Sequence, residues 1–354
     1  MSLSVVIRSR DEADRLRLTL ASLTRQTAAV EVVVVDDGST DHTQAVLAEA
    51  PPSLPLVVVR HAAAKGRSAA SNAGARAASG DLLLFLDGDT LAGPDLARRH
   101  IERHAATPGL IGRGEVLHLR CTRFLTDPET GTPRRGEEAR IGRLSARELA
   151  GMRVTRDQVL EDFAAIHRRA EPGVYPGAGP RRLHEIEMEA LRRQPDCAVL
   201  WAAASGSNQS VARDAFLEVG GFNEALDINE HRELALRLCA AGARMAAVDA
   251  AFCYHLTHRS GWRDPLSETR WEEVFYAAHP TLAVKLLAVF WASLAPSRDL
   301  PPEARIGSLA ELEAAARGEN GVDYDAVRRG LGLPALSADR GAARPLAKAA
   351  QGSA

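Results

Sequence analysis

Two acidic clusters sit where apolar runs of the chain end. Residues 82–89 read LLLFLDGD: five apolar residues, Leu82 to Leu86, then Asp87 and Asp89 with Gly88 between them. Residues 32–41 read VVVVDDGSTD, a second apolar run that closes on Asp36 and Asp37. Two carboxylates aimed at one point repel, and both stay ionised only where water or a cation offsets the repulsion. A hard divalent ion such as Mg²⁺ or Mn²⁺ takes oxygen ligands and keeps phosphates in its shell. Asp87 and Asp89 are therefore candidates for holding a cation against phosphate, and Gly88 leaves the backbone bare for close approach. An Asp-Gly pair also makes ordinary turns, and that reading stands beside the first. At Asp36–Asp37 a carboxylate can accept from a nucleobase N–H or a ribose hydroxyl. A strand, turn and helix cap alone would need one acid or serine, not an acid pair and a glycine together.

The elements that must position these acids alternate. LSVVI (3–7), EVVVVDD (31–37), LPLVVVR (54–60) and LLLFLDGD predict strands. Residues 12–26, the segment that Ser39 and Thr40 can cap, 66–79 and 94–106 predict helices. Strands that are apolar throughout and separated by helices imply a parallel sheet covered on both faces. Ligands of such sheets bind beyond the carboxyl ends of the strands. The stretch from about 120 to 200 is rich in charge, Pro and Gly around two helical segments. It reads as an insertion or lid that partly covers the site, or equally as a solvated pair of surface helices. From 197, CAVLWAAAS predicts a strand, VARDAFLEVGGF and NEHRELALRLCAAG predict helices, and RMAAVDAAFCYHL predicts two short strands. Residues 265–332 read as helical, and the Ala- and Gly-rich end beyond about 335 as a frayed tail.

Composition narrows the classes. The 354 residues carry 44 Lys and Arg against 46 Asp and Glu, a formal charge of −2 that gives no electrostatic footprint for nucleic acid. Cys121, Cys197, Cys239 and Cys253 are far apart and form no CxxC pair, which argues against a zinc ribbon or a redox motif. No run approaches the ~20 apolar residues of a membrane-spanning helix. LAVKLLAVFWASL (282–294) comes nearest and reads as a packed helix, with membrane-surface contact as the alternative. The start of the chain lacks the pattern of a secretory signal, so a cytoplasmic protein is expected.

Five blocks occur in order: SVVIRSRDEADRLRLTLASLTRQT, EVVVVDDGSTDHT, KGRSAASNAGARAASGDLLLFLDGDT, SGSNQSVARDAFLEVGGFNEALD and EHRELALRL. Together they resemble glycosyltransferase family 2, inverting enzymes of the GT-A fold, over about residues 3–115 and 198–258. The resemblance implies an α/β, Rossmann-like, mostly parallel sheet flanked by helices, with a helical insertion and a helical C-terminal region. Residues 1–119 would be the nucleotide-sugar-binding half, 120–196 the insertion, 197–262 the acceptor-binding half, 263–335 a C-terminal helical extension and 336–354 a flexible tail. The implied reaction moves a hexosyl or N-acetylhexosaminyl group from a nucleoside diphosphate sugar, UDP favoured, to a nucleophile. The acceptor would be a carbohydrate, a small molecule or a peptide, and the cofactor Mn²⁺ or Mg²⁺. Asp37 resembles the acid that contacts the base, with Asp36 beside it and Ser9 nearby. Asp87 and Asp89 match the DxD motif, the first facing the ribose and the second holding the metal on the diphosphate. His255 matches a histidine that adds a metal ligand in some relatives, and His258 is a second candidate. A structural role for either histidine stays open.

The departures fall on the acceptor side. Family members commonly carry Glu-Asp before a helix ending in RL. Here Glu230 falls on the Glu, and His231 stands where the Asp general base is expected. Either is a candidate base, Glu230 being the first choice; Glu233, one turn later, is a third candidate that reads first as a capping or salt-bridge residue. Ser71 stands where an Arg often precedes the Asn, so Arg67 or Lys65 would supply positive charge to the diphosphate. Trp201 offers a flat face to a sugar, or is a core aromatic. Gly206 and Asn208, ahead of the ARDAF helix, are candidates for contact with the donor sugar. Rival classes are a nucleotidyltransferase, which would want a Gly-rich basic loop, and a dehydrogenase, which would want GxGxxG. Neither motif follows the first strand. A glycan- or partner-binding protein on a degenerate GT-A scaffold is the rival that His231 motivates.

Overall fold

A computed structural model describes residues 1–173, 178–258, 264–295 and 298–336. The expected tail from 336 onward falls almost wholly outside these residues. The first half alternates as predicted: β1 (Leu3–Ser9), α1 (Ala13–Leu23), β2 (Glu31–Asp36), α2 (Thr43–Ala48), β3 (Leu56–Arg60), α3 (Arg67–Ala77), β4 (Leu82–Asp87), β5 (Thr90–Ala92), α4 (Leu96–Ala106) and β6 (Leu110–His118). The middle segment holds two short strands, β7 (Leu125–Asp127) and β8 (Thr132–Pro133), and four short helices, α5 (Glu138–Ile141), α6 (Ala146–Met152), α7 (Arg156–Glu161) and α8 (Phe163–His167). It ends in β9 (Glu171–Pro172) and the long α9 (Ala178–Arg193). Then come β10 (Gln209–Ala212), α10 (Arg213–Glu218), α11 (Glu230–Ala240) and β11 (Arg244–His255). Four more helices complete the described chain, α12 (Arg270–Ala278), α13 (Leu282–Leu294), α14 (Leu309–Ala316) and α15 (Tyr324–Gly330).

The main sheet runs β3-β2-β1-β4-β10-β6-β11-β5, with β9 on β6. Its first four strands are parallel, and β10 enters antiparallel between β4 and β6. This is the layered α/β arrangement the resemblance implies, with helices on both faces. The apolar runs are explained by the two faces of each strand. Val5, Ile7 and Leu84 pack with Leu16 and Leu20 on one side, while Val6, Val33 and Phe85 pack with Phe216 and Phe222 on the other. Phe85 meets Phe222 edge-on at 5.1 Å and Phe216 at 5.3 Å, geometries that add to simple burial. Small residues let α3 lie close on the sheet: a Cβ at Gly74 would stand 2.5 Å from Val6 Cγ1. Strand register then fixes where the acids emerge. Arg8 pairs with Asp87 across β1 and β4, and Ser9 with Asp36 across β1 and β2, so both acidic clusters end at one edge.

Four local expectations are corrected. CAVLWAAAS forms no strand. Leu200–Ala203 is a buried 3₁₀ turn, because short apolar runs rich in alanine do not distinguish a strand from a tight helical turn. RMAAVDAAFCYHL is one strand, not two. It bulges between Ala247 and Phe252, where Ala250 takes φ +59°. The helical stretch at 146–170 is broken into α6, α7 and α8 because Thr155 and Asp162 each accept from a backbone N–H and start a new helix. At the start of α2 it is Asp41, not Ser39 or Thr40, that accepts from Thr43 N. The 282–294 segment is the packed helix α13, with Leu286 to Phe290 fully buried. Among the described residues no helix is long and apolar enough to cross a membrane.

Candidate functional site

A cleft of about 990 Å³ opens at the carboxyl ends of β1, β4 and β11. Its walls bring together Ser9, Asp37, Arg67, Asp87, Asp89, His255, His258, Gly206, Glu230 and His231. Helix α9 adds Leu183, His184 and Glu187, and α13 adds Trp291 and Leu294. The middle segment and the C-terminal helices thus both reach the site.

One corner is built around Asp89. Its Oδ2 lies 2.7 Å from His258 Nε2 and 3.2 Å from His255 Nε2, and one ligand atom from each residue falls within 4.8 Å of the others. Asp89 is 5% exposed. Burial works against its charge, but the two histidines hold its carboxyl well below the usual range. Burial likewise works against a charged His255, and the charge of Asp89, then Asp87, raises it above the usual histidine value. His118 stacks behind His255 at 5.1 Å and is pushed down to about 3, chiefly by burial. Glu12 also lines the cleft, with a buried Oε2 that has no hydrogen-bond partner among the described residues. Burial together with Asp89 and Asp87 raises its carboxyl well above the usual range. The corner thus gathers the carboxyl groups of Glu12, Asp87 and Asp89 beside two imidazoles, with Asp87 paired to Arg8. The donor set of one carboxylate and two imidazoles fits a divalent transition ion. Mg²⁺ favours oxygen alone.

A second line of groups crosses the cleft. Arg8 donates from Nε to Asp87 Oδ1 at 3.0 Å and from Nη1 to Glu230 Oε1 at 2.9 Å. Glu230 is 2% exposed at the start of α11, where Asn229 takes φ +64° before the helix begins. Burial opposes its charge, but the neighbouring His231 ring, then Arg8 and Arg67, hold its carboxyl well below the usual range. The ring of His231 has Nδ1 3.7 Å from Glu230 Oε2 and Nε2 2.8 Å from Arg232 Nη1. Guanidinium only donates, so Nε2 is the accepting nitrogen and the neutral ring carries its hydrogen on Nδ1. Nδ1 faces Glu230 from beyond hydrogen-bond distance and has no hydrogen-bond partner among the described residues. Burial, with Arg232 adding to it, keeps this ring neutral by lowering its pKa. Arg232 continues to Glu187 Oε1 at 2.7 Å, and Glu187 Oε2 meets Arg113 at 2.7 Å. Glu233 points away, paired with Arg237 and His279.

The remaining sequence candidates divide. Asp37 accepts from the backbone N–H of Lys65 and Gly66 and from His61, which fixes the loop before α3. Asp36 is fully buried and closes its own turn by accepting from Ser39 N. Lys65 and Gly88 do not line the cleft. The bare backbone of Gly88 makes room for Ser9, since a Cβ there would stand 2.7 Å from Ser9 Oγ. Trp201 is 5% exposed and packs edge-on to Phe275 at 5.9 Å in the core. Asn208 is buried below the cleft, donating to the carbonyls of Glu115 and Ala251 and accepting from His100. Gly206 borders Arg8 and His231, its absent Cβ standing 3.3 Å from Arg8 Nη2 and 3.4 Å from His231 Nδ1. Sequence reasoning passed over Arg8, Glu12 and Glu187. Arg8 left a signal: an arginine inside an apolar strand needs buried carboxylates to offset its desolvation.

Residues 4–116 match the model of the family described as glycosyl transferase family 2. The validoxylamine A glucosyltransferase of Streptomyces hygroscopicus subsp. jinggangensis (strain 5008) is 45% identical over 300 residues, 82% of this chain and 63% of that protein. The uncharacterized glycosyltransferase YfnE of Bacillus subtilis (strain 168) is 35% identical over 113 residues, 31% of this chain and 29% of that protein. The chain thus spans less than two thirds of the length of these relatives. The S. aureus TarS 1–349 structure in complex with UDP-GlcNAc matches with a TM-score of 0.53 at 14% identity, covering 94% of this chain and 91% of that one. That likeness shows the GT-A fold.

Proposed function

We propose, from the premise that residues 4–116 belong to glycosyl transferase family 2, that the chain is an inverting glycosyltransferase. It moves a sugar from a nucleoside diphosphate donor to a hydroxyl of a small hydroxylated molecule. The relative matched over 82% of the chain favours glucose as the sugar and a small molecule of the validoxylamine A kind as acceptor. The family resemblance favours UDP as the carrier. The observation that carries the reading is the pairing, in one cleft, of the Asp89–His255–His258 corner with the buried carboxylate of Glu230.

In this reading Asp37, Ser9 and Arg67 border the nucleoside end, and Asp89, His255 and His258 would hold a divalent cation, Mn²⁺ in preference to Mg²⁺. That cation would offset charge growing on the departing diphosphate. Glu230 accepts the proton of the acceptor hydroxyl as its oxygen bonds to the anomeric carbon. The bond from that carbon to the diphosphate oxygen breaks with its electron pair, and attack from the opposite face inverts the centre. His231 Nε2 accepts from Arg232 and so has no free lone pair for the proton, which supports Glu230 as the base. Leu183, Leu266, Trp291 and Leu294 give the acceptor side an apolar wall that excludes water.

The test is a thermal-shift and turnover screen of UDP-, GDP- and dTDP-sugars with Mn²⁺. The expected result is a raised melting point with one nucleotide sugar and Mn²⁺ together, and Mn²⁺-dependent release of the nucleoside diphosphate. No shift and no release with any of them would overturn the reading.

A further inference from the structure

Arg8 touches both sides of the cleft with one guanidinium. It leaves β1 at the site's edge, and its side chain is 14% exposed. Nε holds Asp87 of the DxD motif, and Nη1 holds Glu230, whose side chain is 3% exposed. Nη2 faces the space that Gly206 leaves open. A planar fork can bind two carboxylates at fixed angles, which a lysine ammonium cannot do.

We propose that Arg8 is a positioning residue, which keeps Glu230 ionised and aimed at the acceptor by tying it to Asp87 on the donor side. The proposal rests on the reading of Glu230 as the base. The charged and titratable groups facing Glu230 are Arg8 from β1, Arg67 from α3, and His231 on its own helix. Behind Arg8 stands Asp87, and behind His231 stands Arg232, itself paired with Glu187 of α9. Burial favours the protonated carboxyl of Glu230, and the guanidiniums of Arg8 and Arg67, with the His231 ring beside them, oppose it. Taking Arg8 away leaves the burial and removes the cation in direct contact, so the carboxyl moves up. Below its new value Glu230 is protonated and accepts no proton. Activity is then lost on the acid side and returns as the pH rises.

The experiment compares wild type, Arg8→Met, Arg8→Lys, Glu230→Gln and the Arg8→Met/Glu230→Gln pair. It records kcat from about pH 5 to about pH 9 and nucleotide binding by calorimetry. Arg8→Met is expected to lose at least about tenfold in kcat near neutral pH, to gain an acid limb that wild type lacks, and to recover toward alkaline pH, with nucleotide affinity nearly unchanged. Arg8→Lys, which keeps the charge and guards against misfolding, is expected to lie between. In the Glu230→Gln background Arg8→Met should add little, because the two act as a unit. An unchanged pH profile in Arg8→Met, with Glu230→Gln inactive, overturns the role of Arg8 and leaves the base assignment standing. A parallel fall of affinity and kcat at every pH makes Arg8 a donor contact and overturns it too. An active Glu230→Gln overturns the base assignment itself.

Discussion

Below about pH 6.5 an ordinary histidine takes up a proton, but His100 in the folded chain stays neutral down to about 4. It is fully buried on α4, with Nδ1 2.6 Å from Ser210 Oγ and Nε2 2.8 Å from Asn208 Oδ1. Burial is the main cause. Asn208 opposes it, and His104 adds to it. The folded value lies below the unfolded one, so the unfolded chain binds more protons between the two. Stability is fully present above about 6.5 and is lost as the pH falls toward 4. Linkage with values of 6.5 and about 4 gives a loss of about 2 kcal/mol at pH 5 from this residue alone. His104 is also held near 4 and shares Ser210 Oγ at 2.8 Å, so the two losses do not simply add. The assay is urea unfolding of wild type and His100→Gln at pH 7.5 and about pH 5. The variant should be weaker at the higher pH, having lost buried hydrogen bonds. Its further loss on acidification should be smaller than that of wild type by about 2 kcal/mol. Parallel losses in the two proteins would refute the reasoning. The cluster clips β10 beneath Gly206, so the same variant reports how firmly the site's floor is held.

Single contacts lead to other outcomes. Gly74→Ala places a Cβ 2.5 Å from Val6 Cγ1, and a cost of about 1–3 kcal/mol should appear as a lowered Tm. Asp89→Asn should remove the Mn²⁺-dependent thermal shift while circular dichroism stays native, and a chelator should do the same to wild type. Glu230→Gln should lower kcat by about 10²-fold or more with nucleotide affinity intact, whereas His231→Ala, which removes a neutral ring held by Arg232 beside Glu230, should cost less. A methyl at position 206 would sit 3.3 Å from Arg8 Nη2 and 3.4 Å from His231 Nδ1, so Gly206→Ala should reduce kcat while donor affinity, read by calorimetry, holds.

The strands and helices that present the two acidic clusters were readable because they obey local rules: apolar runs bounded by acids, glycine and caps. The same rules failed at residues 197–204, where buried alanines form a turn, and at 244–255, where a bulge at Ala250 sits inside one continuous strand. In the cleft, residues next to a recognisable motif were legible, among them Asp87, Asp89 and Glu230. Arg8, Glu12 and Glu187 were not, because their meaning lies in partners up to 222 residues away in the chain. Trp201 and Asn208 look like site residues in sequence, yet their side chains are spent inside the fold. A one-dimensional pattern does not record which face of a turn a side chain leaves from.

Glu187 sits between Arg113 of the central sheet and Arg232 of α11, and all three are buried. This makes the middle segment a poor cassette. A chimera that exchanged it for another segment lacking an acid at that point would strand two guanidinium groups out of water, a penalty of several kcal/mol. Any successful exchange has to carry the arginines along or neutralise them, which ties changes in this segment to two positions outside it.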